Sequence, residues 1–352
     1  MSFLSYREGR VMKWKSTITV VLFFLVFFGL GKGKGLADLP FSGVVTILAG
    51  QVDAEHFFYH PRLPQSIGSG ILLDKEGHVL APAYLVMKAK WVEVLLPNYQ
   101  QERASIIGID HLTEMALLKI RKTGRAKPVK IVTRKPALGE EVMLVTRPRG
   151  KIAVKVGCIV QNDRLVSHRG LGLGGFLVAD FPLQGLGPGP VFNLASEVIG
   201  FALSLPDFKV EEGQVLVPGF FLKRAYEMLK EEQQAQWAWL GVKVFPLTKG
   251  LIQALRLPIE KGVVVEEVYP GSPASRAGLR GATKSISVGN ILYPVGGDII
   301  VQINGKAVSS PGEVDRIIFS KKPGDIITIL YYRKHRPRRL KLKLGRRIFV
   351  QP

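Results

Sequence analysis

Between residues 44 and 217 apolar residues come in short runs broken by turn residues. The runs Ile71–Leu73, Trp91–Leu96, Ala104–Ile107, Ala116–Ile120, Val142–Val145 and Val198–Leu203 have strand length and composition. Lys75-Glu76-Gly77, Leu96-Pro97-Asn98 and Arg147–Gly150 punctuate them. Regular spacing of this kind predicts a sandwich or barrel. In Lys151–Gln161, Ile152, Val154, Val156, Cys158 and Val160 alternate onto one face. That alternation predicts that Cys158 fills a barrel core and is not a reactive thiol. Helical spacing first shows after Pro218, where Leu222, Ala225, Tyr226 and Leu229 predict one helix over Gly219–Gln236. Its polar end, Glu231–Gln236, reads as a linker.

Beyond Trp237 the pattern changes. Strands Val242–Phe245 and Gly262–Val268 precede the turn Tyr269-Pro270-Gly271-Ser272-Pro273-Ala274 and a short helix ending at Gly278. Strand Val301–Ile303 runs into Asn304-Gly305, a strong two-residue hairpin signal. A helix over Pro311–Phe319 and strands Ile326–Tyr332 and Arg339–Leu344 close the unit.

At the N-terminus, Arg7, Arg10, Lys13 and Lys15 precede the 13-residue apolar run Ile18–Leu30. That run suits a signal h-region and is short of the ~20 residues that span a bilayer. Met12 can serve as an alternative start. Gly35-Leu36-Ala37 favours cleavage before Asp38; the alternative is an uncleaved anchor, with Thr17 and Thr19 extending the run. Either reading places residues 38–352 outside the cytoplasm.

Composition adds three limits. The 352 residues suit two or three domains, and 47% apolar content excludes a largely disordered chain. The single cysteine, Cys158, excludes an internal disulfide framework, a cysteine zinc cluster and a CxxC site. The net charge is +21, and 11 Lys/Arg against one Asp fall within residues 321–347. Arg333, Lys334, Arg336, Arg338 and Arg339 form the densest part, at the turn between the last two strands. A solvated hairpin, a patch for an anionic membrane surface, lipopolysaccharide or acidic peptide, and a nucleic-acid contact all fit the charge. Export argues against nucleic acid. Lys341 and Lys343 continue the array, predicting one charged face opposite Leu340, Leu342 and Leu344.

Residues 237–346 resemble a PDZ domain of the kind attached to bacterial proteases. Trp239-Leu240-Gly241-Val242 resembles its carboxylate-binding loop, Pro270–Leu279 its PGSPAxxAGL segment, and Gly297–Val308 its GDxIxxINGxxV stretch. Arg280–Val295 reads as an insertion, so residues 280–295 have no counterpart in the minimal domain. The resemblance implies that Trp239, Leu240, Gly241 and Val242 bind a peptide's terminal carboxylate through backbone N–H groups.

Residues 41–236 are similar to the two-barrel, trypsin-like domain of the HtrA/Deg serine proteases. Gly68–Leu73 with Lys75–Leu80, Ile107–Asp110 with Glu114–Ile120, and Gly189–Leu194 with Glu197–Gly200 carry the match. The expected fold is therefore mainly β: residues 1–37 as signal peptide or anchor, residues 41–236 as two barrels, then the PDZ domain over 237–346.

The resemblance also locates the catalytic positions. Tyr84 stands where the family has its histidine, Glu114 at its aspartate, and Gly187, in Gly185-Leu186-Gly187-Pro188-Gly189-Pro190, at its serine. A triad needs a nucleophile, a base of near-neutral pKa and an acid that orients the base. Glycine offers no nucleophile, and tyrosine, titrating near ~10, is a poor base at neutral pH. No Ser or Thr occurs between His168 and Leu194, and Ser196 lies in a turn beyond the site. His56, His60, His78, His111, His168 and His335 sit in polar or turn contexts and read as exposed loop residues. Asp53, Glu55, His56 and His60 mimic a metal site, but their spacing follows no established ligand pattern.

The expectation is an exported pseudoprotease without cofactor or metal. It would bind protein C-termini and unfolded segments in the cell envelope as scaffold, sensor or chaperone, as a homo-trimer or with an active HtrA relative. The alternative is an active endopeptidase with a relocated site; a third reading is a membrane-associated adaptor whose main contact is the basic hairpin.

Overall fold

The structure, a computed structural model, describes residues 41–51, 66–168, 171–181, 186–204, 213–288 and 291–347. The apolar N-terminal run, Asp53, Glu55, His56, His60 and Gly185 lie outside the described residues. Among the described residues no helix is long and apolar enough to cross a membrane.

Six strands form the first barrel: β1 Val44–Gly50, β2 Ser66–Leu72, β3 His78–Pro82, β4 Trp91–Leu95, β5 Gln101–Asp110 and β6 Met115–Ile120. They close in the order β1-β2-β3-β6-β5-β4. Six more form the second: β7 Glu141–Thr146, β8 Ala153–His168, β9 Leu171–Ala179, β10 Gly189–Asn193, β11 Val198–Ala202 and β12 Gln214–Pro218. Their order is β10-β11-β12-β9-β8-β7, again closed. Closure removes the exposed edges that short apolar strands would otherwise present. Helix α1, Gly219–Glu232, follows and stops at Gln233, whose backbone turns left-handed.

The C-terminal unit holds β13 Ala238–Trp239, β14 Val242–Pro246, α2 Lys249–Ala254, β15 Val263–Val268 and α3 Pro273–Arg276. Then come β16 Lys284–Val288, β17 Ile291–Val295, β18 Ile299–Ile303, β19 Lys306–Ala307 and α4 Pro311–Phe319. Strands β20 Ile326–Arg333, β21 Arg336–Lys343 and β22 Gly345–Arg346 end it. The main sheet runs β14-β15-β18-β20-β21, with β19 on β18; β13 pairs β22, and the insertion folds into its own hairpin, β16–β17.

Each barrel has its own apolar interior, and a third core joins them. Val45, Ile47, Val79 and Leu118 fill the first barrel, and Leu144, Ile159, Leu177 and Val191 the second. The shared core packs both barrels, α1 and the C-terminal unit together. At its centre Phe319 lies against Trp237 and Phe221, with ring centroids 5.2 and 5.7 Å apart. Arg147, itself buried, ties the barrels: its Nε donates to Val44 O at 2.7 Å and its N–H to Ser69 Oγ at 2.9 Å.

Cys158 departs from expectation. The even-numbered residues of β8 do share a face, but it is the outside of the second barrel; the fully buried neighbour is Ile159. Val156 packs on the shared core. Farther along, Cys158 pairs with exposed Glu141 and is itself only half-buried. Alternation reports that one face is apolar, not which body covers it. The Cys158 thiol donates to Asp180 Oδ2 at 3.2 Å. Burial and that carboxylate push its pKa up, so it remains a thiol.

Candidate functional site

Tyr84 sits on the single turn Ala83–Leu85 that follows β3. The turn is pinned to the β5–β6 connection by Ala83 N–H donating to Glu114 O at 2.8 Å. The Tyr84 side chain opens onto a cleft lined by Gln51, Ser66, Met87 and Lys88. No histidine or carboxylate is among the described lining residues. Burial pushes the Tyr84 hydroxyl up to about 12, which makes it a weaker base candidate still at neutral pH, where it stays protonated.

Glu114 is placed one residue before β6 with φ 53°. Its backbone therefore meets the Tyr84 turn, while its side chain is buried against the other barrel. Glu114 Oε1 lies 3.2 Å from His168 Nε2, and His111 O lies 3.1 Å from the same nitrogen. Both neighbours are acceptors, so Nε2 carries the proton. The reading of His168 as an exposed loop residue is thus corrected: it ends β8 and is buried, because the β8–β9 strands extend across the barrel boundary. No hydrogen bond joins Tyr84 to Glu114 or His168 among the described residues.

Gly187 lies before β10, in the second barrel. Its φ is +73°, and an added Cβ would meet nothing within 4 Å. There is room for a serine side chain, but its backbone would sit in the left-handed region, which L-residues occupy at a cost of about 1 kcal/mol. Ser196 is in a turn after β10, as expected, with φ 60°.

His78 is also buried rather than exposed. It ends the β2–β3 turn, where its Nδ1 lies 2.6 Å from Asp74 Oδ2. With Glu76 these residues bring ligand-type atoms within 4.8 Å of one another. The place of a cation is taken, however: Lys230 Nζ lies 3.1 Å from Asp74 and 3.2 Å from Glu76. Tyr226 also donates to Asp74, at 2.7 Å. Burial raises the Asp74 pKa, but bonds from His78, Tyr226 and Lys230 outweigh it and hold the carboxyl well below the usual range. The cluster clamps α1 to the first barrel.

In the C-terminal unit, the loop Trp239–Val242 is shaped by Gly241, with φ +83°. A Cβ there would fall 2.1 Å from Ser272 Cβ. Leu240 O accepts from Ala274 N–H at 3.0 Å, and Gly241 O from Tyr269 N–H at 3.1 Å and Ser272 Oγ at 3.2 Å. With both carbonyls held by the 269–274 turn, the N–H groups of Leu240 and Gly241 have no hydrogen-bond partner among the described residues. That is the donor pair a terminal carboxylate requires. The groove beyond the loop runs between β14 and α4, with Val244, Val314 and Ile318 on its walls. Leu165 and Gly172, from β8 and β9, also line it, and about 30 Å³ of the groove is open.

The same helix docks the two halves of the chain. Asp315 Oδ2 accepts from Gly174 N–H at 2.7 Å, and Arg316 donates to Thr133 O at 2.6 Å. At Gly174 an added Cβ would stand 2.4 Å from Gly312 N, so the backbones of β9 and α4 touch. Burial pushes the Asp315 carboxyl up to about 6 against the Gly174 bond and Arg347.

The basic hairpin forms as expected, with Lys334 and His335 at its tip, but it is not one charged face. Arg333 is withdrawn from it: its Nε and Nη2 each donate to Asp298 at 2.7 Å. In β21 the side chains alternate, so Arg339, Lys341 and Lys343 share one face and Arg336 and Arg338 the other. The even face carries Leu342 into the core and leaves it only near the tip.

Comparison with known proteins matches this architecture. Residues 68–201 match the trypsin-like peptidase domain family and residues 238–344 the PDZ domain family. The chain is 27% identical over 295 residues to a probable periplasmic serine endoprotease, DegP-like, of Brucella suis, covering 80% of this chain and 53% of that protein. A relative of the same description from Rhizobium meliloti is 25% identical over 293 residues, covering 80% and 54%. The chain thus spans about half the length of these curated relatives. Among solved structures, the HtrA-type protease AlgW with a tripeptide superposes with a TM-score of 0.62 at 23% identity, covering 87% of this chain and 94% of that one. A serine endoprotease from Yersinia pestis gives 0.53 at 21% identity, covering 87% and 95%.

Proposed function

Because the chain belongs to the HtrA family, in which a trypsin-like peptidase domain is joined to a PDZ domain, we propose that it is a proteolytically silent member that binds peptides. Its relatives are named periplasmic, and the basic, apolar leader agrees with action outside the cytoplasm. The observation that carries silence is the trio Tyr84, Glu114 and Gly187. Glycine brings no nucleophile, and the Tyr84 hydroxyl, pushed up to about 12, takes no proton from one. In other serine peptidases, loss of the nucleophile or its histidine alone costs about 10⁶-fold in turnover.

The retained capacity is recognition. Peptide binding is supported by the paired N–H groups of Leu240 and Gly241 and by related structures with peptides bound. The ligand is a free, apolar C-terminus or an unfolded segment that adds beside β14. With about 30 Å³ open in the groove, entry requires it to widen at Leu165 and Gly172. The protein then serves as scaffold, sensor or chaperone in envelope quality control, as a trimer or beside an active relative.

One observation favours a second reading, an active endopeptidase with a relocated site: Glu114 and His168 do form an acid–base pair. A fluorophosphonate probe separates the two. Silence predicts no labelled band, whereas a serine labelled at one position, with labelling lost in His168→Ala, supports the relocated site.

A further inference from the structure

A second cavity, of about 260 Å³, lies in the C-terminal unit away from the carboxylate-binding loop. It is framed by the segment after β14, by the inserted β16–β17 hairpin and by the β20–β21 turn. Leu247, Leu255, Leu257, Ile259 and Ile299 line it, and each is half-buried rather than sealed in the core. A concave, solvent-open aliphatic surface of this size is just below the range of small-molecule sites, about 300–1,000 Å³. The PDZ groove is a separate place: no residue lines both.

The rim is one-sided in charge. Lys284, Lys334 and His335 line the cavity, and no Asp or Glu does among the described residues. Asp298, next to the lining Gly297, is buried and committed to Arg333. Neither Lys284 nor Lys334 has a carboxylate within ion-pair distance among the described residues. Lys334 and His335 both adopt left-handed backbone, φ 49° and 63°, as a two-residue hairpin turn requires. That turn brings both to the cavity, and His335 Nε2 lies 3.4 Å from Leu255 O. Lys284 arrives from the insertion, which therefore supplies both one wall and one charge.

We infer that this cavity binds a medium-chain fatty carboxylate, its chain against Leu255, Leu257 and Ile299 and its head between Lys284 and Lys334. Apart from the Tyr332 hydroxyl, the side chains that line the cavity below its basic rim are apolar, and the rim complements a single anionic head. The volume, just below that of ordinary small-molecule sites, limits the chain to roughly eight to ten carbons.

Calorimetry on the full chain, with hexanoate, octanoate and decanoate below their micellar concentrations, tests this. Affinity is expected to rise about fourfold per methylene until the cavity is full. Octanol, which lacks the anionic head, should bind about tenfold more weakly than octanoate, as should octanoate to the Lys284→Gln/Lys334→Gln variant. Both lysines are exposed, so the variant keeps its thermal midpoint. Leu257→Trp, which fills the cavity, should abolish binding while leaving C-terminal peptide binding unchanged. No saturable binding of decanoate, octanol binding as well as octanoate, or an unaffected double-lysine variant would each overturn the assignment.

Discussion

Glu114 of the first barrel and His168 of the second meet at 3.2 Å in the buried seam between them. Nε2 of His168 donates both to this carboxylate and toward His111 O, 3.1 Å away. In a serine peptidase the acid orients a base that faces the nucleophile. Here the acid is turned toward a histidine at the end of β8, and its backbone alone reaches the Tyr84 turn. We expect His168→Ala to act on stability. Loss of a buried, charge-assisted bond costs roughly 2 kcal/mol, about 3 °C in a chain of this size. An unchanged melting midpoint would contradict this structural role.

Asp315 gives a pH dependence with a defined sign. Its pKa is raised from 3.8 to about 6 in the folded chain, so the native state binds more protons than the unfolded state between those values. Its contribution is fully present below about 4 and is lost as pH rises through 6. Asp315→Asn, which keeps a carbonyl for Gly174 N–H, should therefore gain in melting midpoint relative to wild type on going from pH 5 to pH 7.5. An offset between the two proteins that is the same at both pH values would exclude this linkage.

Local signals were the readable ones. The Pro311–Phe319 helix is legible in the sequence, and the structure adds its cap, Ser310 Oγ accepting from Glu313 N–H at 3.2 Å. The Asn304-Gly305 turn announced itself by residue type, and both residues do adopt positive φ. What stayed hidden depended on partners far along the chain. His168 looked polar and exposed because its acid lies 54 residues earlier. Arg333 looked like part of a charge run because Asp298 is 35 residues away. The second barrel reaches the peptide groove where β9 meets α4, at Gly174 and Gly312, a contact no local pattern encodes.

The peptide groove makes a prediction in two parts. A peptide ending in a free apolar residue should bind at least tenfold more tightly than its amidated twin, which loses the charge-assisted bonds to Leu240 and Gly241. Leu165→Gly removes one side chain that lines the groove and should strengthen binding several-fold. Gly241→Val, with its Cβ 2.1 Å from Ser272 Cβ, should remove binding. Equal calorimetric affinity for acid and amide would count against this loop.

The basic hairpin should hold the protein to anionic vesicles at low salt and release it at high salt, as the Debye length shortens to about 8 Å or less. Arg336, Arg338 and Arg339 are exposed, and each contributes about 1 kcal/mol near such a surface. Changing all three to Gln should lower sedimentation with the vesicles and leave peptide affinity intact. A triple variant that sediments like wild type would reduce the hairpin to a solvated turn.

Proteolytic silence is tested most directly by incubating the purified protein with unfolded casein from neutral to alkaline pH, with a covalent serine inhibitor as control. The account predicts no cleavage above the buffer blank. It also predicts none after Gly187→Ser, because Tyr84, with its hydroxyl raised to about 12, still supplies no base. Casein cleavage by the wild-type protein that the inhibitor abolishes would contradict it.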